Sequence, residues 1–210
     1  MKCSFFIFIT VLLFSCNRNK QAISATTGGE KFSIALQPFF DDTSLINKLK
    51  ARLESTLNAS FKVLPEIELP TSSFYSPRKR YIADNILVFL KDKKNASFKK
   101  IIGVTNKDIS TSKDGKKNWG IMGLAYCPGE PCIISSFRVL PTIKNKKQLI
   151  DRMTVLALHE LGHTFSLPHC ENDNCIMVDA EGKMKLGYTK TYCSACRIVL
   201  EQQGILRLIN

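Results

Sequence analysis

The chain has 210 residues, 44% apolar and 23% charged, with 13 phenylalanines; this composition excludes a disordered chain and suits one well-buried core without requiring a second domain. The net charge of +12 is scattered through "SPRKR", "KDKK", "FKK", "SKDGKK" and "KNKK" rather than gathered with aromatic residues, which argues against a nucleic-acid partner and fits solubility or contact with anionic lipid head groups.

The chain opens with "MKCSFFIFITVLLFSC", in which Lys2 precedes an apolar run over residues 5–14. That is the layout of an export signal, and the run is too short for a permanent membrane span. Its end, "LFSC", resembles the lipobox of bacterial lipoproteins. The resemblance implies cleavage before Cys16 and acylation of Cys16 as the mature N-terminus, whereas an ordinary signal peptide cut nearby is the alternative. Residues 17–30, "NRNKQAISATTGGE", have the composition of a flexible tether. A single domain over residues 31–210 follows.

Within it, "KFSIALQPF" and "FKVLPEIEL" alternate like strands, and "DDTSLINKLKARLESTLN" between them spaces Leu45, Ile46, Leu49, Leu53 and Leu57 like a helix, giving a β-α-β start. The segment "PRKRYIADNILVFLKDK" predicts a second helix opening at Pro77 and burying Tyr81, Ile82, Ile86, Phe89 and Leu90. Three short apolar runs, "KKIIGVTN", "WGIMGLAYC" and "CIISSFRVL", read as strands of one sheet. The longest helical pattern, "NKKQLIDRMTVLALHELGHTF", ends in two histidines, and "SACRIVLEQQGILRLI" predicts a last helix.

All three histidines of the chain lie in "HELGHTFSLPH". On a helix, His159 and His163 project from one face and can hold a single ion. Glu160 lies one residue round from the first of them, placed to accept a proton from a metal-activated water rather than to be a ligand. His169 can supply the third ligand if the chain turns sharply near Ser166, leaving one position open, as catalytic zinc requires. The pattern matches the metzincin motif H-E-x-x-H-x-x-G-x-x-H except at Ser166, where that motif has glycine. A left-handed turn at a non-glycine residue costs about 1 kcal/mol or more. Pro168 assists by holding Leu167 out of helical geometry.

Cys170 follows His169 directly and starts a separate series. With Cys175, Cys193 and Cys196 it forms C-x4-C and C-x2-C pairs, a donor set suited to a closed, structural tetrahedral zinc. Oxidation of these four to two disulfides is the competing account.

"HELGHTFSLPHC", "CIM" and "CSAC" together resemble the archaemetzincins, zinc peptidases of the metzincin clan. Weaker similarity runs through "SPRKRYIADNIL", "IIGVTNKDI", "IMGLAYCPG" and "SSFRVL". The resemblance implies an α+β fold: a compact zincin domain with a mixed twisted sheet, a helix carrying HExxH, and a small C-terminal four-cysteine zinc subdomain. It implies a zinc-dependent peptidase with two zinc ions, one catalytic and one structural, acting on peptides or proteins. It also implies that Met177 is the Met-turn residue beneath the catalytic ion, with Met184 as the other candidate. By the same resemblance, "CIISSFRVL" is the edge strand along which substrate lies. Tyr188 is read as a loop residue rather than an oxyanion donor.

Cys127 and Cys132 remain, and the Pro-Gly turn in "CPGEPC" is expected to bring them together as a disulfide in an oxidising compartment. The preferred reading is a monomeric metallopeptidase, exported and lipid-anchored at a bacterial outer membrane, on its periplasmic face or at the cell surface. A binding lipoprotein with little turnover is the alternative that Ser166 suggests. A basic protein that binds acidic polymers is a third.

Overall fold

The computed structural model describes residues 31–179 and 191–206. The export signal, Cys16, the tether, Met184 and Tyr188 lie outside the described residues.

Strand β1 (Phe32–Pro38) leads into helix α1 (Thr43–Thr56), which Asp42 caps by accepting from the Leu45 N–H at 2.9 Å. Strand β2 (Ala59–Val63) then pairs parallel to β1, completing the β-α-β unit. Strands β3 (Phe74–Tyr75) and β4 (Arg80–Ile82) precede helix α2 (Ala83–Lys93). Strands β5 (Lys100–Thr105), β6 (Ile109–Lys113), β7 (Lys116–Ile121), β8 (Gly123–Ala125) and β9 (Pro131–Ser135) follow, then helices α3 (Lys146–Thr164) and α4 (Ser194–Gln202).

The main sheet has the order β2-β1-β5-β9-β8, with only β8 antiparallel to its neighbour. Alternate residues of its strands serve two cores, as a pleated sheet covered on both faces requires. Ile34, Leu36, Ile102, Val104 and Ile134 pack on the side of α1 and α3, while Ala35, Ile101 and Ile133 face Ile86, Leu87 and Leu90 of α2. A second sheet, β3-β4-β6-β7, stands beside it.

Four sequence expectations need correction here. The second helix starts at Ala83, not Pro77, because Ser76–Arg78 makes a 3-10 turn that Lys79 closes in left-handed geometry at φ 50°. Tyr81 and Ile82 therefore belong to β4. "WGIMGLAYC" is two strands in different sheets, since the chain bends at Met122 and β7 folds back on β6. The turn of that hairpin is Asp114-Gly115, both at positive φ (49° and 74°), the Asp-Gly signal of a tight hairpin. "CIISSFRVL" is a strand only to Ser135, and it is not an edge: β8 covers it, so the edge of the main sheet on this side is Gly123–Ala125. The last helix stops at Gln202, and Gly204 at φ 71° turns Ile205 and Leu206 back into the core.

Candidate active site and metal centres

Helix α3 begins with Asn145 accepting from the Gln148 N–H at 3.0 Å and is buried from Val155 through Gly162. At its end the Ser166 N–H donates to the His163 carbonyl at 2.9 Å and the Leu167 N–H to the Gly162 carbonyl at 3.0 Å. These two bonds form a Schellman motif, which normally takes glycine at its left-handed position. Ser166 occupies that position at φ 71°. The turn expected from the sequence is thus present without the glycine.

It returns His169 to the helix. The donor atoms of His159, His163 and His169 lie within 4.8 Å of one another, and the Nε2 atoms of His159 and His163 are 3.1 Å apart. The Nδ1 of His159 donates to the Ile176 carbonyl at 2.8 Å, and that of His163 to the Leu167 carbonyl at 2.7 Å. These bonds assign the protons to Nδ1 and free each Nε2 lone pair for a metal. Desolvation lowers the His159 pKa to about 4 and also lowers that of His163. Converging neutral imidazoles fit zinc.

Met177 is fully buried. Its Sδ lies 2.5 Å from where a Cβ on Gly162 would stand, so the glycine within "HELGH" makes room for the thioether.

Glu160 packs against β8. A Cβ on Gly123 would sit 2.7 Å from its Cγ, so the glycine permits the strand to pack on the carboxylate side chain. Desolvation raises the Glu160 pKa to about 8. Glu160 and all three histidines line one cavity of about 580 Å³, bounded by β8 and by Trp119 and Arg138.

The four cysteines form a second cluster, also with sulfurs within 4.8 Å of one another, and all four are free. The Cys170 and Cys193 sulfurs are 3.8 Å apart. That matches the edge of a tetrahedron with Zn–S bonds of about 2.3 Å and is far beyond a disulfide bond of about 2.05 Å. Cys175 Sγ accepts from the backbone N–H groups of Met177 (3.4 Å) and Cys193 (3.3 Å); burial outweighs these bonds and raises its pKa in the metal-free chain. A backbone hydrogen bond from Cys196 brings the Cys193 thiol down to about 7. The Cys170 N–H donates to the Met177 carbonyl at 2.8 Å. Adjacent His169 and Cys170 thus serve different clusters, and the loop between Cys170 and Val178 ties them together.

The expected Cys127–Cys132 disulfide is absent, for both residues are free. Cys132 points from β9 into the main core and is fully buried, whereas Cys127 lies past the end of β8 on the cavity wall, donating to the Leu167 carbonyl at 3.5 Å. The Cys127 thiol is directed to the Leu167 carbonyl, whereas that of Cys132 is enclosed in the core.

Two contributors escaped the sequence reading. Lys100 Nζ donates to the carbonyls of Gly129 (2.5 Å) and Thr164 (2.8 Å), fastening the "CPGEPC" loop to the C-terminal turn of α3. Arg138 lines the cavity. Lys100 sits in a run read for scattered charge and strand character, and Arg138 in one read as a substrate-binding strand, neither singled out as a residue.

Three converging imidazole nitrogens and one buried acidic side chain lining the same cavity define a class of protein, the zinc metallopeptidases. Comparison with known proteins narrows the class. An archaemetzincin from Methanocaldococcus jannaschii is 28% identical over 177 residues, covering 82% of this chain and 94% of that protein. One from Archaeoglobus fulgidus is 30% identical over 144 residues, covering 69% and 82%. The crystal structure of archaemetzincin from Methanopyrus kandleri superposes with a TM-score of 0.69 at 23% identity, covering 84% of this chain and 97% of that one. That from Archaeoglobus fulgidus complexed with malonate gives 0.67 at 25% identity, with 80% and 99% covered. The sequence model of Peptidase family M54 matches residues 26–202, and the chain belongs to that family. It is a zinc metallopeptidase of archaemetzincin type, with the α+β fold expected from its sequence.

Proposed function

We propose that His159, His163 and His169 hold the catalytic zinc, that Glu160 is the general base, and that Cys170, Cys175, Cys193 and Cys196 hold a second, structural zinc. The observation that carries this reading is the convergence of one ring nitrogen from each of the three histidines within 4.8 Å, with the Nε2 atoms of His159 and His163 left free by their Nδ1 hydrogen bonds, in the cavity that Glu160 also lines. Zinc bound there supplies Lewis acidity toward water and toward the scissile carbonyl. Glu160 takes a proton from the attacking water and delivers it to the leaving amine. Burial alone keeps Glu160 protonated near neutral pH, and with a cation held by the histidines it reaches its carboxylate form well below that range. The peptide pairs with the open edge of β8, above Glu160. Met177 supports the histidines, and the four cysteines fix the loop that presents His169.

We further propose that the enzyme is exported and anchored as a lipoprotein: residues 1–16 are the signal, Cys16 carries the lipid, residues 17–30 are the tether, and residues 31–210 act as a monomer at the membrane. Lys2, the apolar run and "LFSC" support this part. Replacing Cys16 by serine should move the protein from the membrane to the soluble fraction; continued sedimentation with membranes contradicts it.

Glu160→Gln tests the catalytic assignment. It should lower kcat by about 10²- to 10⁴-fold while zinc content stays as it was. The weakly active alternative rested on Ser166, and Ser166 forms the turn that the glycine would form.

A further inference from the structure

The cavity that contains Glu160 and the histidines is also walled by Arg138. This residue follows β9, where the chain turns through Ser136. Its Nε and Nη2 fork onto Asp108 at 2.8 and 3.1 Å, and Arg80 approaches the same carboxylate at 2.6 Å. Two guanidinium groups against one carboxylate, itself only 9% exposed, give this three-residue cluster an excess of positive charge. Asp108 occupies the Nε/Nη2 edge of Arg138. The Nη1/Nη2 edge has no hydrogen-bond partner among the described residues, and the side chain remains 33% exposed.

Strand β7 makes room for this arrangement. A Cβ on Gly120 would collide with the Arg138 guanidinium, coming within 2.7 Å of Nε. The other basic residue on the cavity wall, Lys113, lies 3.8 Å from Asp179, which in turn stands 3.6 Å from His169. Arg138 is thus the cavity cation that retains a free planar edge among the described residues, and such an edge matches a carboxylate with two parallel hydrogen bonds.

Direction follows from the strands. β8 runs from Gly123 to Ala125. A peptide added antiparallel to it runs from Ala125 toward Gly123, where Glu160 packs, and continues toward Gly120 and Arg138. We propose that Arg138 binds a carboxylate of the substrate on the C-terminal side of the cleaved bond, making it a specificity-determining residue. This rests on the peptidase reading given above. The carboxylate can be an acidic side chain or the peptide's own C-terminus.

The test is binding, so that it does not depend on turnover. A zinc-loaded chain of residues 17–210 carrying Cys16→Ser and Glu160→Gln is incubated with a peptide library made in three forms: with glutamate and a free C-terminus, with glutamine in place of glutamate, and with an amidated C-terminus. Retained peptides are quantified by mass spectrometry. A carboxylate should raise retention about tenfold over its amide counterpart. Arg138→Gln should bring that ratio to one, Arg138→Lys should leave an intermediate value, and Gly120→Ala should reduce it by displacing the guanidinium. Loss on the glutamine arm identifies the side chain as the source, and loss on the amidated arm identifies the C-terminus; both support the proposal. The ratio is internal to each variant, and Arg80 still neutralises Asp108 in Arg138→Gln. An unchanged ratio in that variant, or no preference in the parent, overturns the proposal. Failure of the peptidase reading shows separately, as retained peptides that the chain with Glu160 intact leaves uncut.

Discussion

The imidazole of His163 donates through Nδ1 to the carbonyl of Leu167, 2.7 Å away and four residues further along the chain. Ligand orientation and helix termination are therefore one structure, because Leu167 is also the residue that closes the Schellman motif on Gly162. Ser166 sits at the left-handed position of that motif with φ 71°. Relieving about 1–2 kcal/mol of left-handed strain, less the about 0.5–1 kcal/mol that glycine gains in the unfolded chain, makes Ser166→Gly stabilising by about 0.5–1 kcal/mol. Denaturant unfolding should show a higher midpoint at unchanged slope. Ser166→Val should be destabilising, since a β-branched residue tolerates this region worst.

Gly162→Ala would stabilise an ordinary helix by about 1 kcal/mol. Here the new Cβ meets the Sδ of Met177 at 2.5 Å, and overpacking should prevail, at a net loss of about 1–2 kcal/mol. Zinc affinity at the histidines should fall with it. Met177→Ala in the same background should be less than additive, which a double-mutant cycle in thermal unfolding will measure.

The two clusters of candidate metal ligands were legible in the sequence because their information is local: two histidines one helical turn apart, a third six residues on, and paired cysteines all declare themselves by spacing. The β-α-β start was legible for the same reason. What failed depended on long-range pairing. Nothing in "WGIMGLAYC" says that its halves join different sheets, although the Asp114-Gly115 pair was an available hairpin signal hidden in a basic run. The edge position of β8 is a property of sheet order, which no single segment contains. Cys127 and Cys132 were paired by proximity in sequence, and the placing of one on the cavity wall and the other in the core was invisible there.

Removal of zinc should expose two opposing pH dependences. The His159 pKa is lowered to about 4, from desolvation, so its contribution to stability is present above pH 6.5 and lost as pH falls toward 4. The Glu160 pKa is raised to about 8, again from desolvation, so its contribution is present below pH 4.5 and lost as pH rises toward 8. The two slopes oppose each other between 4.5 and 6.5. Between pH 6.5 and 7 the Glu160 slope prevails and the metal-free protein should lose stability; above pH 7 the Cys193 thiol, brought down to about 7, adds an opposing slope that makes the loss shallower. Thermal unfolding of the metal-free chain across this range checks the slope, and Glu160→Gln should flatten it.

Cys175→Ser removes the sulfur that accepts two backbone N–H groups, at a fully buried position. It should abolish the second zinc and lower stability by several kcal/mol. Because the same loop carries His169, zinc at the histidines should also exchange faster with a chelator. Metal release followed by a colorimetric indicator will report both phases.

The most direct measurement is zinc per chain on residues 17–210 carrying Cys16→Ser, compared with the same protein carrying His163→Ala. Two ions falling to one is the predicted result, with one site at the histidines and one at the cysteines. A count that His163→Ala leaves unchanged contradicts the assignment of the histidines, and one ion falling to none contradicts the zinc at the four cysteines.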